Sequence, residues 1–203
     1  MKKPHLKQYY DRLCQTYLYS HKAVGWESEW SQRIRFEIFL LIGNIEDSHI
    51  LDVGCGLGDF LGFLNQENIP IRYTGVDLSP SMIHFAQKRF PADRFIMDDF
   101  EKLAPTHEIT PPFDYVFASG TFNLKVEKQS QYIEHAICTL FSLARKGIAF
   151  NLLSAYGPSR KKNPKIFYYY DPNAILRYCF TLTPYVELKH HYLPHDFSIM
   201  MYK

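Results

Sequence analysis

Residues 50–60 read Ile-Leu-Asp-Val-Gly-Cys-Gly-Leu-Gly-Asp-Phe, and residues 73–80 read Tyr-Thr-Gly-Val-Asp-Leu-Ser-Pro. Each stretch begins as an apolar run, and a glycine-dense turn followed by an apolar helix pattern separates the two. This order predicts a β-α-β unit, in which the second strand lies parallel to the first. Asp77 ends the second run and is therefore expected at the same edge of the sheet as the glycines, where its carboxylate can accept both hydroxyls of a ribose.

The residue that follows the turn distinguishes two classes of cofactor. A dinucleotide-binding motif has a glycine three residues after Gly56, because a pyrophosphate sits on the helix N-terminus there. This chain has Asp59 at that position, which disfavours a phosphate pair and suits a cationic sulfonium. Asp52–Gly58 resembles the glycine motif of class I S-adenosylmethionine (SAM) dependent methyltransferases, and Gly75–Ser79 resembles their acidic second motif.

The resemblance implies an α/β fold with a Rossmann-like, doubly wound sheet of seven strands. The sheet is expected to be mostly parallel, with an antiparallel C-terminal hairpin strand, and to follow two N-terminal helices. Alternating strand and helix patterns support it, as do closing strands predicted at 184–192 and 197–202. We expect one methyltransferase domain over residues 1–203, made of an N-terminal helical lid (1–45) and a core (46–203) with a loop insertion at 154–172.

Composition excludes several other classes of protein. The chain has 203 residues, of which 46% are apolar, and this is enough for one good core. A formal net charge of +2 creates no strong field, so a nucleic-acid partner is not expected. The four cysteines form no CxxC pair, which argues against a zinc site or a disulfide scaffold and favours a reducing, cytoplasmic setting. No apolar run is long enough to cross or anchor in a membrane.

The resemblance also implies which residues bind SAM and its product S-adenosylhomocysteine (SAH). The strand ends and the glycine turn would hold the methionine tail and the ribose. An acid after the third strand would accept from the adenine amino group, and either Asp98 or Asp99 can fill that role. Aromatic residues of the N-terminal segment would cover the cofactor. The full expected set is Asp52, Gly54, Cys55, Gly56, Asp77, Leu78, Met82, Asp98, Asp99, Phe100, Ser119, Gly120, Trp26 and Tyr10.

The methyl acceptor is expected to be a small molecule with an oxygen, nitrogen or carboxylate nucleophile. Methyl transfer from a sulfonium depends mainly on positioning, and the stretch after the fourth strand lacks the Asn-Pro-Pro-Tyr type of motif that grips planar amines. The sequence identifies no catalytic base. Candidates are His191 and His195 near the closing hairpin, and Asn123 after the fourth strand. The run Tyr168–Tyr170 is interpreted as pocket lining, and no metal site is expected.

Two other functions remain open at this stage. The basic run Arg160-Lys-Lys162 with Lys165 could bind RNA or an acidic protein, which would make the methyl acceptor a macromolecule. Alternatively, the chain could be a non-catalytic SAM-binding partner subunit, because no base is compelling. The sequence leaves the oligomeric state and the identity of the acceptor undetermined.

Overall fold

The computed structural model describes residues 3–18, 20–102, 113–157 and 163–203, with side chains from residue 7 onward. The basic run Arg160-Lys-Lys162 therefore lies outside the described residues, as does part of the expected loop insertion at 154–172.

A seven-stranded sheet forms the centre of the molecule, with strand order β3-β2-β1-β4-β5-β7-β6. Only β7 runs against the others among these strands, since it pairs antiparallel with both β5 and β6. This confirms the expected Rossmann-like α/β fold. The strands are β1 (His49–Val53), β2 (Arg72–Asp77), β3 (Arg94–Met97), β4 (Phe113–Ala118), β5 (Ala144–Leu153), β6 (Val186–Lys189) and β7 (Asp196–Tyr202).

Six α-helices within the described residues surround the sheet, and two of them precede it as predicted. Their N-termini follow local rules: Ser28 caps α2 in a capping box, and Ser79 caps α4 with Pro80 at the first helical position. The helices are α1 (Lys3–Tyr17), α2 (Glu29–Phe39), α3 (Asp59–Gln66), α4 (Pro80–Arg89), α5 (Gln129–Leu143) and α6 (Pro172–Leu182).

Alternating residues of the central strands bury against helices on opposite faces of the sheet. Ile50 and Phe117 pack with α2 and α3 on one face. Leu51 and Val116 point the other way, into the larger cluster that holds α5 and α6. Parallel strands covered on both faces have to be apolar along their whole length, and this explains the continuous apolar runs in the sequence.

The closing hairpin differs from its predicted bounds. β6 is only four residues long, and β7 begins at Asp196, which the sequence had placed in the turn. Asp196 pairs in register with Leu153, the last residue of β5. This antiparallel pairing with β5 extends β7 by one residue beyond its predicted start. This pairing joins residues that are distant in the chain, so hydrophobic patterning could not predict it.

Aromatic packing under β4 makes Phe117 the centre of the smaller core. Its ring is fully buried and lies 5.0 Å from the ring of Phe60 and 5.6 Å from that of Phe39, measured between centroids. We expect Phe117→Ala to lower the free energy of unfolding by about 3–5 kcal/mol, because truncation removes apolar contacts and leaves a cavity. Urea unfolding followed by circular dichroism measures the change.

Phe180 on α6 provides the matched control, since its side chain is about half exposed. Phe180→Ala should change the free energy of unfolding by no more than about 0.5 kcal/mol. Equal losses for the two variants would contradict the assigned core.

Candidate functional site

The strand order reverses between β1 and β4, and a cavity opens at the carboxyl ends of these strands. Ligands of open α/β sheets bind in this crevice. The cavity contains about 980 Å³ of empty space, part of which is open to solvent. Its walls come from the ends of β1 and β2, the segments after β1, β2, β3 and β4, and the N-terminal segment.

The glycine turn after β1 forms the floor of the cavity. Gly54 and Gly56 have φ values of +71° and +53°, a region that side chains with a Cβ rarely adopt. The turn is held by β2, since the amides of Gly54 and Cys55 both donate to the Val76 carbonyl, at 2.7 and 3.1 Å. A Cβ on Gly54 would lie 2.4 Å from the Thr121 hydroxyl oxygen, so glycine also permits the close approach of the loop after β4.

Asp77 lies at the end of β2, where the sequence predicted it, and lines the cavity. Its Oδ2 accepts from the Gly56 amide at 2.9 Å, and its Oδ1 accepts from the Ser79 amide at 2.8 Å. Burial raises the pKa of the carboxyl, and these backbone donors partly offset that rise by stabilising the charged form. Each carboxylate oxygen has a second lone pair, so Asp77 can still accept from a ligand.

Asp52 makes a contact that the sequence analysis did not anticipate. Its Oδ2 accepts from the Tyr73 hydroxyl at 2.6 Å, rather than from amides of the glycine turn. Burial raises the pKa of Asp52 to about 7, although the Tyr73 hydrogen bond lowers it in part. Asp52 therefore changes charge near neutral pH, at the floor of the cavity.

Asp59 occupies the N-terminal end of α3 and also lines the cavity. Its carboxylate pairs with Arg89 at 2.5 Å and accepts from the side-chain amide of Gln32 at 2.9 Å. A carboxylate at a helix N-terminus interacts favourably with the helix dipole. It occupies the place where a pyrophosphate would otherwise bind, so the geometry disfavours a dinucleotide.

Carboxylates outnumber cations in the cavity lining. Among the described residues, one cationic side chain, Lys7, lines it beside four carboxylates. Neighbouring charges of one sign raise the local concentration of a ligand of the opposite sign. The four carboxylates belong to Asp52, Asp59, Asp77 and Asp98.

The N-terminal segment packs directly onto the cavity. A Cβ on Gly56 would lie 2.8 Å from Val24, and one on Gly120 would lie 2.6 Å from the indole of Trp26. Helix α1 rests on α4, where the Asp11 carboxylate accepts from the Ser79 hydroxyl at 2.5 Å. Tyr10 on the same helix lines the cavity.

The structure brings most of the sequence-predicted cofactor residues together around this cavity. Asp99 is the exception: Asp98 and Phe100 line the cavity, whereas Asp99 accepts from the Glu101 amide at 3.1 Å at the start of a short 3-10 helix. The predicted residues that line it are Tyr10, Trp26, Asp52, Gly54, Cys55, Gly56, Asp77, Leu78, Met82, Asp98, Phe100, Ser119 and Gly120.

The candidate catalytic residues are not among the described residues that line the cavity. His191 and His195 lie on the β6–β7 connection, which is separated from β4 by β5, or roughly 10 Å for two strand spacings. The main-chain carbonyl of His195 accepts from the Ser154 amide at 2.8 Å. Asn123 is buried, and its side-chain oxygen accepts from the Leu153 amide at 3.1 Å, so it joins the loop after β4 to the end of β5.

The tyrosine run after β5 also packs away from the cavity lining. Tyr170 is buried in the larger core, where its hydroxyl donates to the Phe122 carbonyl at 2.7 Å, and its ring lies 4.7 Å from that of Tyr168. The run was expected to line a pocket because aromatic rings with polar tips suit ligand sites. In the structure, the polar tip of Tyr170 instead supplies a hydrogen bond to the buried Phe122 carbonyl.

Comparison with known proteins agrees with this geometry. The model of a family described as "Methyltransferase domain" matches residues 51–145. A protein of Mycobacterium tuberculosis that is named as a methyltransferase is 33% identical over 159 residues, which are 76% of this chain and 92% of that protein. The chain belongs to the class I SAM-dependent methyltransferases.

Other relatives match this methyltransferase over shorter stretches. Trans-aconitate 2-methyltransferase of Paracidovorax citrulli is 36% identical over 36% of this chain and 28% of its own length. Malonyl-[acyl-carrier protein] O-methyltransferase of Paenibacillus is 30% identical over 51% of this chain and 36% of its own. The chain thus spans about a third of the length of these two relatives.

Solved structures show the same fold at low sequence identity. Magnesium protoporphyrin IX methyltransferase from Synechocystis PCC 6803, with bound SAH, superposes over the whole of both chains with a TM-score of 0.71 and 13% identity. A SAM-dependent methyltransferase from Archaeoglobus fulgidus covers 87% of this chain and 95% of its own, with a TM-score of 0.66 and 15% identity.

Sequence reasoning missed several residues of the methyltransferase that line the cavity. Gln32 and Phe36 are four residues apart on one face of α2, and Lys7 is three residues before Tyr10 on α1. Helical spacing indicates that the two residues of each pair lie on the same face of their helix, but it does not indicate that this face meets the cavity. Thr121 also lines it, in the loop after β4 that the sequence had singled out.

The raised pKa of Asp52 predicts a dependence of stability on pH. The folded methyltransferase keeps the Asp52 proton until the pH approaches about 7, whereas the unfolded chain loses it near pH 4. This contribution is complete below the unfolded pKa and is lost as the pH rises through the folded value. We expect Asp52→Asn to flatten the fall in the free energy of unfolding between those limits, measured by urea unfolding at several pH values.

Asp47→Asn is the matched control, because Asp47 is exposed before β1 and its positive φ suits asparagine. It should leave the pH profile unchanged. The same slope in the wild type and in Asp52→Asn would show that Asp52 is charged throughout this range.

Proposed function

We propose that this chain transfers the methyl group of SAM to an oxygen, nitrogen or carboxylate nucleophile of a small molecule. The observation that carries the proposal is the acidic cavity at the strand reversal, where the glycine turn and the Asp77 carboxylate share one wall. The glycine turn lets a ligand approach the backbone, and Asp77 can accept from the two hydroxyls of a ribose. Together with the excess of carboxylates, these features suit a cationic nucleoside. SAM supplies an electrophilic methyl group when it binds.

Asp77 would accept the two ribose hydroxyls in this proposal. Its carboxylate is oriented by the Gly56 and Ser79 amides, so a ligand hydroxyl adds to an existing set of hydrogen bonds and does not have to order the side chain. At the adenine end, Asp98 is favoured over Asp99 because it lies on the cavity wall beside Phe100. Leu78 and Met82 provide apolar surface there.

The methyl group would lie near Ser119 and Gly120, under Trp26 of the lid. Residues 1–45 are proposed to act as this lid on the core, within one methyltransferase domain. An enclosed site excludes water and brings the nucleophile into line with the methyl group. A lid that packs this closely favours a small acceptor over a macromolecule.

A carboxylate is the favoured class of acceptor because it is already ionised and needs no base. The acidic lining repels an anion, so such a group would have to bind next to Lys7. Among the described residues, no histidine lines the cavity, so no imidazole is available to deprotonate a neutral acceptor, and Asp52, with its pKa of about 7, is the titratable group there. Trans-aconitate and malonyl groups, the acceptors in two relatives' names, are carboxylates. Lys7 is the described cation on the wall that could attract such a group.

The setting is proposed to be cytoplasmic. The four cysteines are all free thiols, which fits a reducing compartment. In the described part of the chain, no helix has both the length and the apolarity needed to cross a bilayer.

Asp77→Asn should weaken SAM binding by one to two orders of magnitude. Asparagine keeps one acceptor oxygen but loses the charge, and a hydrogen bond to a charged group contributes about 1.5–3 kcal/mol. Isothermal titration calorimetry with SAM measures the effect. Asp93→Asn is the control, since Asp93 lies before β3 at the amino-terminal edge of the sheet and lines a separate groove.

If wild-type protein binds no SAM at millimolar concentration, the proposed cofactor is wrong. If Asp77→Asn binds SAM as tightly as Asp93→Asn does, the ribose is not held by Asp77.

Lys7→Gln should raise the KM for a carboxylate acceptor and leave the SAM Kd nearly unchanged. A methyl-transfer assay that detects SAH is first run with the wild type over a panel of di- and tricarboxylates to identify an acceptor. The KM for that acceptor is then compared between the wild type and Lys7→Gln. Lys22→Gln is the control, because Lys22 is exposed and does not line the cavity. Turnover only with neutral amines or phenols would overturn the carboxylate class.

A further inference from the structure

A buried ion pair links α2 to the start of β7. Arg35 and Asp196 are 2% and 1% exposed, and Arg35 Nε donates to Asp196 Oδ2. A second guanidinium nitrogen of Arg35 donates to the Ser31 carbonyl one turn earlier in α2. The partners lie 161 residues apart in the chain, so the pair fixes the N-terminal segment to the last strand of the sheet.

Stability alone does not explain this pair. Removing two charges from water costs several kcal/mol per ion, and a buried pair often contributes no more than apolar residues would. The other carboxylate oxygen, Asp196 Oδ1, is buried without a hydrogen-bond partner among the described residues. An unsatisfied buried acceptor costs a further penalty, of about 1–3 kcal/mol. These costs suggest that the pair serves to position something else.

The group that Arg35 positions is the indole of Trp26. The guanidinium carbon lies 4.0 Å from the ring centroid, within the range of a cation–π contact, and Trp is the strongest partner for such a contact. The indole also reaches Gly120, where a Cβ would lie 2.6 Å from two of its ring carbons. Gly120 is itself held, since its amide donates to Asn151 Oδ1 on β5 at 2.6 Å.

We propose that Arg35 and Asp196 are positioning residues that hold the Trp26 indole against Gly120, so that it forms a fixed wall of the cavity beside the transferred methyl group. This inference rests on the proposed function for the identity of that group. Neither Arg35 nor Asp196 lines the cavity, so both act through Trp26. Without the pair, the indole is free to turn away and open the cavity to water next to Gly120.

The chain contains two tryptophans, which makes the position of Trp26 measurable without knowing the acceptor. Trp30 is 63% exposed on α2, so Trp30→Phe leaves Trp26 as the single indole in a folded protein. In that background we expect Trp26 to resist quenching by acrylamide. An indole as accessible as free tryptophan in Trp30→Phe would overturn the inference without any change to the ion pair.

The second step removes both charges at once. Arg35→Met with Asp196→Asn, in the Trp30→Phe background, avoids leaving one buried charge unpaired, which is the most destabilising change. We expect several-fold stronger quenching and a red-shifted emission, with the far-ultraviolet circular dichroism retained. Unchanged quenching in this folded variant would overturn the inference. If the variant does not fold, the Trp30→Phe measurement and Gly120→Ala decide instead.

Gly120→Ala displaces the indole from the other side while the ion pair stays intact, so it should also increase quenching. Arg33→Met is the matched control on the same helix, since Arg33 is exposed and pairs with Glu37 and Glu67. It should leave the Trp26 signal unchanged. Calorimetry with SAM on the same proteins separates the two proposals. If the Trp30→Phe protein, which keeps the ion pair, binds no SAM, the result counts against the proposed function. The quenching results test only the role of the ion pair.

Discussion

The Gly56 amide donates to the Asp77 carboxylate, and this hydrogen bond joins the turn after β1 to the end of β2. The contact is possible because Gly54 and Gly56 in the turn have a left-handed backbone and no side chain. The same lack of side chains lets Thr121 approach from the loop after β4 and Val24 from the N-terminal segment. The cavity exists because three parts of the chain meet around one backbone turn.

The charge of this cavity links binding to stability. Burial removes much of the hydration of Asp52 and Asp77 and so raises the pKa of both carboxyls, and neighbouring carboxylates add to the rise. A bound cation favours their charged forms and is therefore coupled to proton release. A neutral product such as a thioether interacts with this field less strongly than a sulfonium does. The electrostatics thus favour the methyl donor over the demethylated product.

Much of the site could be predicted from the sequence because its residues belong to short, local patterns. The glycine turn, Asp77 and Ser79 follow from the β-α-β unit and from helix capping, which extend over fewer than about thirty residues. His191 and His195 do not line the cavity, and this could not be predicted from the sequence because their distance from it depends on strand order. Asp98 and Asp99 are adjacent in the chain, and only the backbone path after β3 decides which one faces the cavity.

The sequence by itself determined the parallel α/β core, the family and the residues around the glycine turn, because hydrophobic period and turn chemistry act between near neighbours. Only the tertiary structure decided how the N-terminal helices pack, which face of α2 meets the cavity, and that Arg35 pairs with Asp196. Those contacts join residues far apart in the chain, and the sequence around one residue does not specify which distant residue it will contact. The pair can form only where the packed sheet brings its two residues together.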